Sequence, residues 1–227
     1  VSTKAGQANT IVELFLAMIS GIYVITDEQL IPGRTHAQIA KAALDGGAAV
    51  IQLRDKCASD EYLIEAGGEI RRLTSEAGAL FIVNDRLEVA LACDADGLHV
   101  GQSDRPAGEL RSLLKGKLLG VSVLNSEQAA KARADGADHL GVGPIFATAT
   151  KPDADPPTGL DMIQKTKAAS GGLPIIAIGG INEGNLAEVR RAGADSAAVI
   201  SAIVCAEDMV FATRRLADRW SEVISDQ

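Results

Sequence analysis

Eight short, apolar, β-branched runs alternate with segments of helical period along 227 residues. That pattern predicts an α/β fold, a single-domain (β/α)8 TIM barrel. Strand and helix in strict turn imply βαβ units and a parallel sheet, and eight repeats suggest its closure into a barrel. Composition agrees. The chain is 47% hydrophobic, enough for a sizeable core, and carries 23 glycines with only 3% aromatics. Small residues favour close helix–strand packing and tight turns.

The runs fall at 21–27, 48–55, 79–85, 96–101, 118–123, 139–145, 174–180 and 196–203. Apolar residues recur at helical spacing in 35–44, 60–77, 126–134 and 184–192. A weak internal repeat marks the junctions. GGAA at 46–49 and GAD at 136–138 and 193–195 each sit between a helix and the next strand, where Gly can end a helix in the left-handed conformation. Residues 1–20 precede the first strand and are expected to form an N-terminal extension or a helix under the barrel, which itself takes 21–227. The one long irregular stretch, 146–159, holds three prolines and has the length of a functional lid.

Net charge and cysteine use narrow the function classes. The formal charge is −8, with no basic face to track a nucleic-acid backbone. Cys57, Cys93 and Cys205 are odd in number and widely spaced, which argues against a disulfide framework or a zinc site and for a reducing, cytoplasmic compartment. The apolar run at 15–26 is too short to span a bilayer, so no membrane association is expected.

In a (β/α)8 barrel the reactive groups gather at the C-terminal ends of the strands. Gln52, Arg54 and Lys56 follow one another at a spacing of two, and so share a face of strand 2. Cations and an amide on the inner face are costly without a partner, which favours an anion site over a solvated strand end. Strand 3 ends in Asn84-Asp85, and Asp104 lies in the loop after strand 4. Two carboxylates on neighbouring strands can share Mg²⁺, although Asp85 by itself reads equally as a helix N-cap. Ser122 on strand 5 is a weak hydroxyl signal. Thr148, Thr150 and Lys151 offer hydroxyls and a cation at the start of the long loop. Gly179-Gly180 and Ile200-Ser201 end strands 7 and 8, where barrels often bind phosphate through backbone N–H groups. His36, His99 and His139 show no triad or metal spacing and read as structural.

Taken in order, QLRDK (52–56), VND (83–85), HVGQSD (99–104), GVS (120–122), GPIFATATK (143–151), IGGI (178–181) and VISAI (199–203) resemble the thiamin-phosphate synthase family. The likeness runs from about residue 22 to 203. It implies a transferase that couples hydroxymethylpyrimidine pyrophosphate to a thiazole phosphate. Thiamin phosphate and pyrophosphate would be the products. By position, Gln52, Leu53, Arg54, Asp55, Lys56, Asn84, Ser122 and Lys151 would hold the pyrimidine pyrophosphate, with Arg54, Lys56 and Lys151 catalytic. Thr148, Ala149, Thr150, Gly180, Ile200 and Ser201 would hold the thiazole phosphate, and Asp85 and Asp104 one Mg²⁺ per active site. The implied partners are two small phosphorylated molecules, and a homo-oligomer is compatible with the pattern. Ala147 departs from the Pro that is frequent in the family. Two rival readings are a thiazole-phosphate tautomerase-like barrel and a non-catalytic phosphate-binding barrel. Neither accounts for the cations and carboxylates of strands 2 to 4.

Overall fold

The computed structural model describes residues 18–148, 150 and 155–225. Eight parallel strands close into a barrel in sequence order. They are β1 (Gly21–Ile25), β2 (Val50–Leu53), β3 (Leu80–Asn84), β4 (Gly97–Val100), β5 (Leu118–Val123), β6 (His139–Val142), β7 (Ile175–Ile178) and β8 (Ser196–Val199). Each expected run contains its strand. The ring closes where β1 pairs with β8, Gly21 opposite Ser196.

The helices, among the described residues, are α1 (His36–Asp45), α2 (Asp60–Ala77), α3 (Leu87–Ala92), α4 (Ala107–Leu113), α5 (Ser126–Ala134), α6 (Asp161–Ala169), α7 (Leu186–Arg191), α8 (Ser201–Val204) and α9 (Met209–Ser225). Local chemistry starts them. Thr35 and Gln38 form a capping box on α1, Ser59 caps α2, and Asn125 caps α5. One expectation needs correction: the run at 196–203 is not strand throughout. The strand stops at Val199, and the chain turns at Ile200 into the short helix α8. Ile203 and Val204 are still buried, but on the outside of the barrel.

The two-residue period of the strands divides the core into two layers. Tyr23, Ile25, Val50, Leu80, Ile82, Leu118, Ile176 and Ala198 point inward, and Ile19, just ahead of β1, joins them. Ile22, Val24, Ile51, Leu53, Phe81, Val83 and Leu98 point outward against the helices. The proposed extension at 1–20 lies, up to residue 17, outside the described residues.

The Gly-Ala-Asp junctions prove to be more than helix stops. Gly136 and Gly193 adopt φ of 89° and 102°, and the aspartate that follows reaches back to the start of the preceding odd strand. Asp138 accepts the Leu119 amide at 2.8 Å and Arg111 at 2.7 Å. Asp195 accepts the Ile175 amide at 2.9 Å and pairs with Lys167 at 3.1 Å. Asp96 repeats the arrangement without the Gly, taking the Phe81 amide at 2.8 Å and Arg71 at 2.9 Å. Three clamps thus hold the barrel's closed end, away from the strand C-termini. Asp138→Ala would orphan a strand amide and an arginine, a cost of about 2 kcal/mol. A melting point lower by roughly 4–8 °C is expected, with a smaller loss for Asp138→Asn. An unchanged melting point would remove the clamp from the stability argument.

Candidate active site

A cavity of about 450 Å³ opens at the C-terminal ends of the strands. Its wall is built by the inward register. Gln52, Arg54 and Lys56 all line it, as the spacing of two requires. Leu53 and Asp55 do not. As the intervening residues they turn their side chains outward, so any contact they make with the pyrimidine pyrophosphate is through their backbone. Leu53 is buried in the outer core. Asp55 accepts the amides of Cys57 and Ala58 at 2.7 and 3.0 Å, and sits 3.8 Å from His36. Its burial tends to raise its pKa, but those amides hold the carboxyl below its ordinary range.

Behind the cations stands the end of β1. Arg54 faces Asp27 at 3.8 Å, and Asp27 is buried and accepts the Gln29 amide. Thr26 donates to the Gln52 carbonyl and meets the buried His36 ring at 2.7 Å. These residues fix the strand that carries Arg54. Deeper in the cavity, Gln52 Nε2 donates to the Tyr23 hydroxyl at 2.8 Å.

Asp85 follows β3 with φ of 61°, a conformation that Asp tolerates better than most residues. Its amide donates to the His99 carbonyl at 2.9 Å, which ties the ends of β3 and β4. It does not cap α3. The N-cap there is Arg86, with no side-chain hydrogen bond, so the Asp85 carboxylate is left to the cavity. Across from it, Asp104 accepts the Gly101 amide at 2.7 Å. Burial, then the hydrogen-bonded and charged Asp104, push Asp85 up to about 6, against the pull of Lys56 at 3.9 Å and of Arg54.

The Asp85–Asp104 pair suits a hard divalent cation. No cluster of three ligating side chains occurs among the described residues. Two carboxylates that need waters and phosphate oxygens to complete the shell are the set Mg²⁺ takes.

Asn84, Ser122, Thr148, Thr150, Gly180, Ile200 and Ser201 also line the cavity, so most of the expected residues converge. Ala149 and Lys151 lie outside the described residues, as do 152–154 of the expected lid. The far end of that segment is tied down: the Thr158 amide donates to the Pro144 carbonyl and that of Gly159 to the Ile145 carbonyl. Gly179 and Gly180, at φ of 103° and 64°, press against the chain after β6. A Cβ on Gly179 would lie 2.5 Å from Pro144, and one on Gly180 2.4 Å from the Ala147 carbonyl. Only glycine lets the two loops meet here, where the Ile145 and Phe146 amides donate to the Ile178 and Gly179 carbonyls at 2.8 and 3.0 Å.

Sequence reasoning missed Tyr23, Asp27, His99 and Asp155. His99 was read as structural, yet it lines the cavity and its Nε2 lies 2.9 Å from Ser122 Oγ. Burial pushes His99 down to about 4. Burial, with His99 beside it, takes His139 to about 3. The signal was present in the period, since His99 shares the inward register with Gly97.

Fold and cavity together define a (β/α)8-barrel enzyme with its site at the strand C-termini. The sequence profile described as thiamine monophosphate synthase matches residues 22–203. The thiamine-phosphate synthase of Chloroflexus aurantiacus is 54% identical over 195 residues, 86% of this chain and 90% of that protein. That of Methanoculleus marisnigri is 50% identical over 199 residues, 87% and 94% of the two chains. The solved thiamine phosphate pyrophosphorylase from Pyrococcus furiosus superposes with a TM-score of 0.85 at 41% identity, over 92% of this chain and 99% of that one. The chain belongs to the thiamine monophosphate synthase family, and is a transferase. Among the described residues no helix is long and apolar enough to cross a membrane.

Proposed function

We propose that this protein joins a pyrimidine pyrophosphate to a thiazole phosphate, giving thiamine phosphate and pyrophosphate. The observation that carries the reading is the cavity's division. Arg54, Lys56, Asp85 and Asp104 crowd one side of it, and the ends of β7, with Gly179 and Gly180, and of β8, with Ile200 and Ser201, form the other. One side suits a metal-bound pyrophosphate; the other is a nearly uncharged cradle for a single phosphate.

The chemistry needs little more. The bond between the pyrimidine methylene and the pyrophosphate oxygen breaks, and its electron pair leaves with the pyrophosphate. The thiazole nitrogen supplies its lone pair to the electron-poor methylene carbon, and no proton has to move. Arg54 and Lys56 stabilise the negative charge that grows on the leaving group. Asp85 and Asp104 would hold Mg²⁺, which supplies further positive charge to those phosphate oxygens. Gln52, Asn84 and Ser122 orient the pyrimidine pyrophosphate, and Lys151 adds a cation from the loop. Thr148 and Thr150 hydroxyls and the backbone amides of Ala149, Gly180, Ile200 and Ser201 receive the thiazole phosphate. Neutral His99 fits a reaction with no general base. Closure of 146–159 over the site would keep water from the electrophile.

The test is direct. Purified protein with both substrates and Mg²⁺ should release pyrophosphate and form thiamine phosphate in equal amounts. Tight binding of thiazole phosphate without turnover would overturn the proposal in favour of a binding barrel.

A further inference from the structure

We infer that Asn185 is a positioning residue: its side-chain amide holds the Gly180 carbonyl away from the cavity and so turns the Ile181 N–H toward it, as a donor to a bound phosphate. The inference rests on the reading above only in taking that phosphate to be the thiazole phosphate.

The chain leaves β7 through Gly179, Gly180 and Ile181, all of which line the cavity. The Ile181 side chain packs in the outer core, so what this residue brings to the cavity is its backbone. Two successive peptide groups have their carbonyls engaged from behind. The Phe146 amide donates to the Gly179 carbonyl. Asn185 Nδ2 donates to the Gly180 carbonyl at 3.0 Å, and Asn182 Nδ2 to the same oxygen at 3.3 Å. Phe146, Asn182 and Asn185 all lie off the cavity wall. In a planar trans peptide the N–H points opposite to the C=O. The Gly180 and Ile181 amides are therefore turned to the cavity side. Among the described residues neither donates to another backbone group. Successive free N–H groups at a turn make a concavity that binds an anion.

Asn185 immediately precedes α7, where an asparagine ordinarily caps the helix through its side-chain oxygen. Here it makes no such bond. Its Oδ1 instead accepts the Asn182 amide at 2.9 Å. A backbone N–H can only donate, so the oxygen must face it and the amino end must face Gly180. Both ends of the side chain thus serve the loop before the helix. Asn182 is the weaker brace. It is exposed, its contact with Gly180 is the longer one, and its own oxygen accepts the Gly184 amide at 2.9 Å. Loss of the Asn185 donor leaves the Gly180–Ile181 peptide held only by that longer contact. A peptide rotated about its neighbours would present a carbonyl where a phosphate needs a donor.

The sequence Gly-Ile occurs at 21–22 and 180–181 and nowhere else in the chain. NMR of protein labelled with carbonyl-¹³C glycine and ¹⁵N isoleucine therefore shows the Ile181 amide beside one reference, Ile22 in β1. Inorganic phosphate, and separately thiazole phosphate, should move the Ile181 amide proton downfield and leave Ile22 in place. In folded Asn185→Ala that movement should be lost. The thiazole phosphate KM should rise about tenfold there, with kcat and the pyrimidine pyrophosphate KM nearly unchanged. Asn182→Ala should raise the thiazole phosphate KM only about twofold and keep the movement. An Ile181 amide that neither ligand moves overturns the inference, as does movement retained in Asn185→Ala. An equal loss in Asn182→Ala would place the effect in the loop as a whole and overturn the role of Asn185. A phosphate-responsive Ile181 that depends on Asn185, in a protein that makes no thiamine phosphate, would support the positioning role and overturn the functional reading alone.

Discussion

Asp85→Asn is expected to lower turnover by about a thousandfold and to stabilise the metal-free protein. The two effects share one cause. Asp85 and Asp104 face each other in a partly desolvated cavity, and Asp85 is raised to about 6 from an ordinary 3.8. A carboxyl with a raised folded-state pKa binds its proton more tightly folded than unfolded. Stability therefore falls as pH climbs from about 4 to about 6, and the full cost, at most about 3 kcal/mol, persists above that. Asparagine carries no charge and avoids the cost. The lost contact with Lys56 offsets little, because that lysine is half-exposed and 3.9 Å away. In EDTA at pH 8 the variant should melt roughly 5 °C above the wild type, and the gap should close near pH 4. Mg²⁺ should raise the melting point of the wild type far more than that of the variant. A variant less stable than the wild type in EDTA at pH 8 would refute the picture of two opposed carboxylates awaiting a cation.

Much of this site was legible because a barrel strand imposes a strict alternation. Once Gln52, Arg54 and Lys56 were placed on the inner face, Leu53 and Asp55 had to face outward, and the structure places them there. The resemblance had taken the whole QLRDK segment together, without that distinction. The acidic pair was legible in part. The sequence left Asp85 by itself balanced between helix cap and metal ligand; its left-handed backbone and the Arg86 cap exclude the helix-cap role. Strand 8 misled because Ile203 and Val204 are as apolar as a strand, while their burial comes from packing outside the barrel. His99 misled for a different reason. A lone histidine inside an apolar run resembles core, and the room for its ring at the cavity depends on Gly120 and Gly141, one and two strands away in space. Such a pairing is set by register between strands, which no local period reveals.

Arg54→Ala is expected to cost about a hundred- to a thousandfold in turnover, and Lys56→Ala only about tenfold. The two cations share a strand face, but their surroundings differ. The Arg54 side chain is 20% exposed and backed by Asp27; that of Lys56 is 50% exposed. A charge is worth more to a developing anion where water screens it less. Arg54 also offers a planar fork suited to two phosphate oxygens, and Asp27 helps to aim it. Arg54→Lys keeps the charge and loses the fork, so its turnover should lie between those of the wild type and the alanine variant. The interaction acts on charge that forms as pyrophosphate departs, so the loss should fall on kcat, with a smaller change in KM. Stability should change little, since Asp27 keeps the Gln29 amide at 2.9 Å. Steady-state kinetics with varied pyrimidine pyrophosphate measures all three variants together. Equal losses for Arg54→Ala and Lys56→Ala would mean that burial does not grade their contributions. An Arg54→Ala variant with unchanged kcat and a raised KM would move Arg54 from the departing charge to ground-state binding.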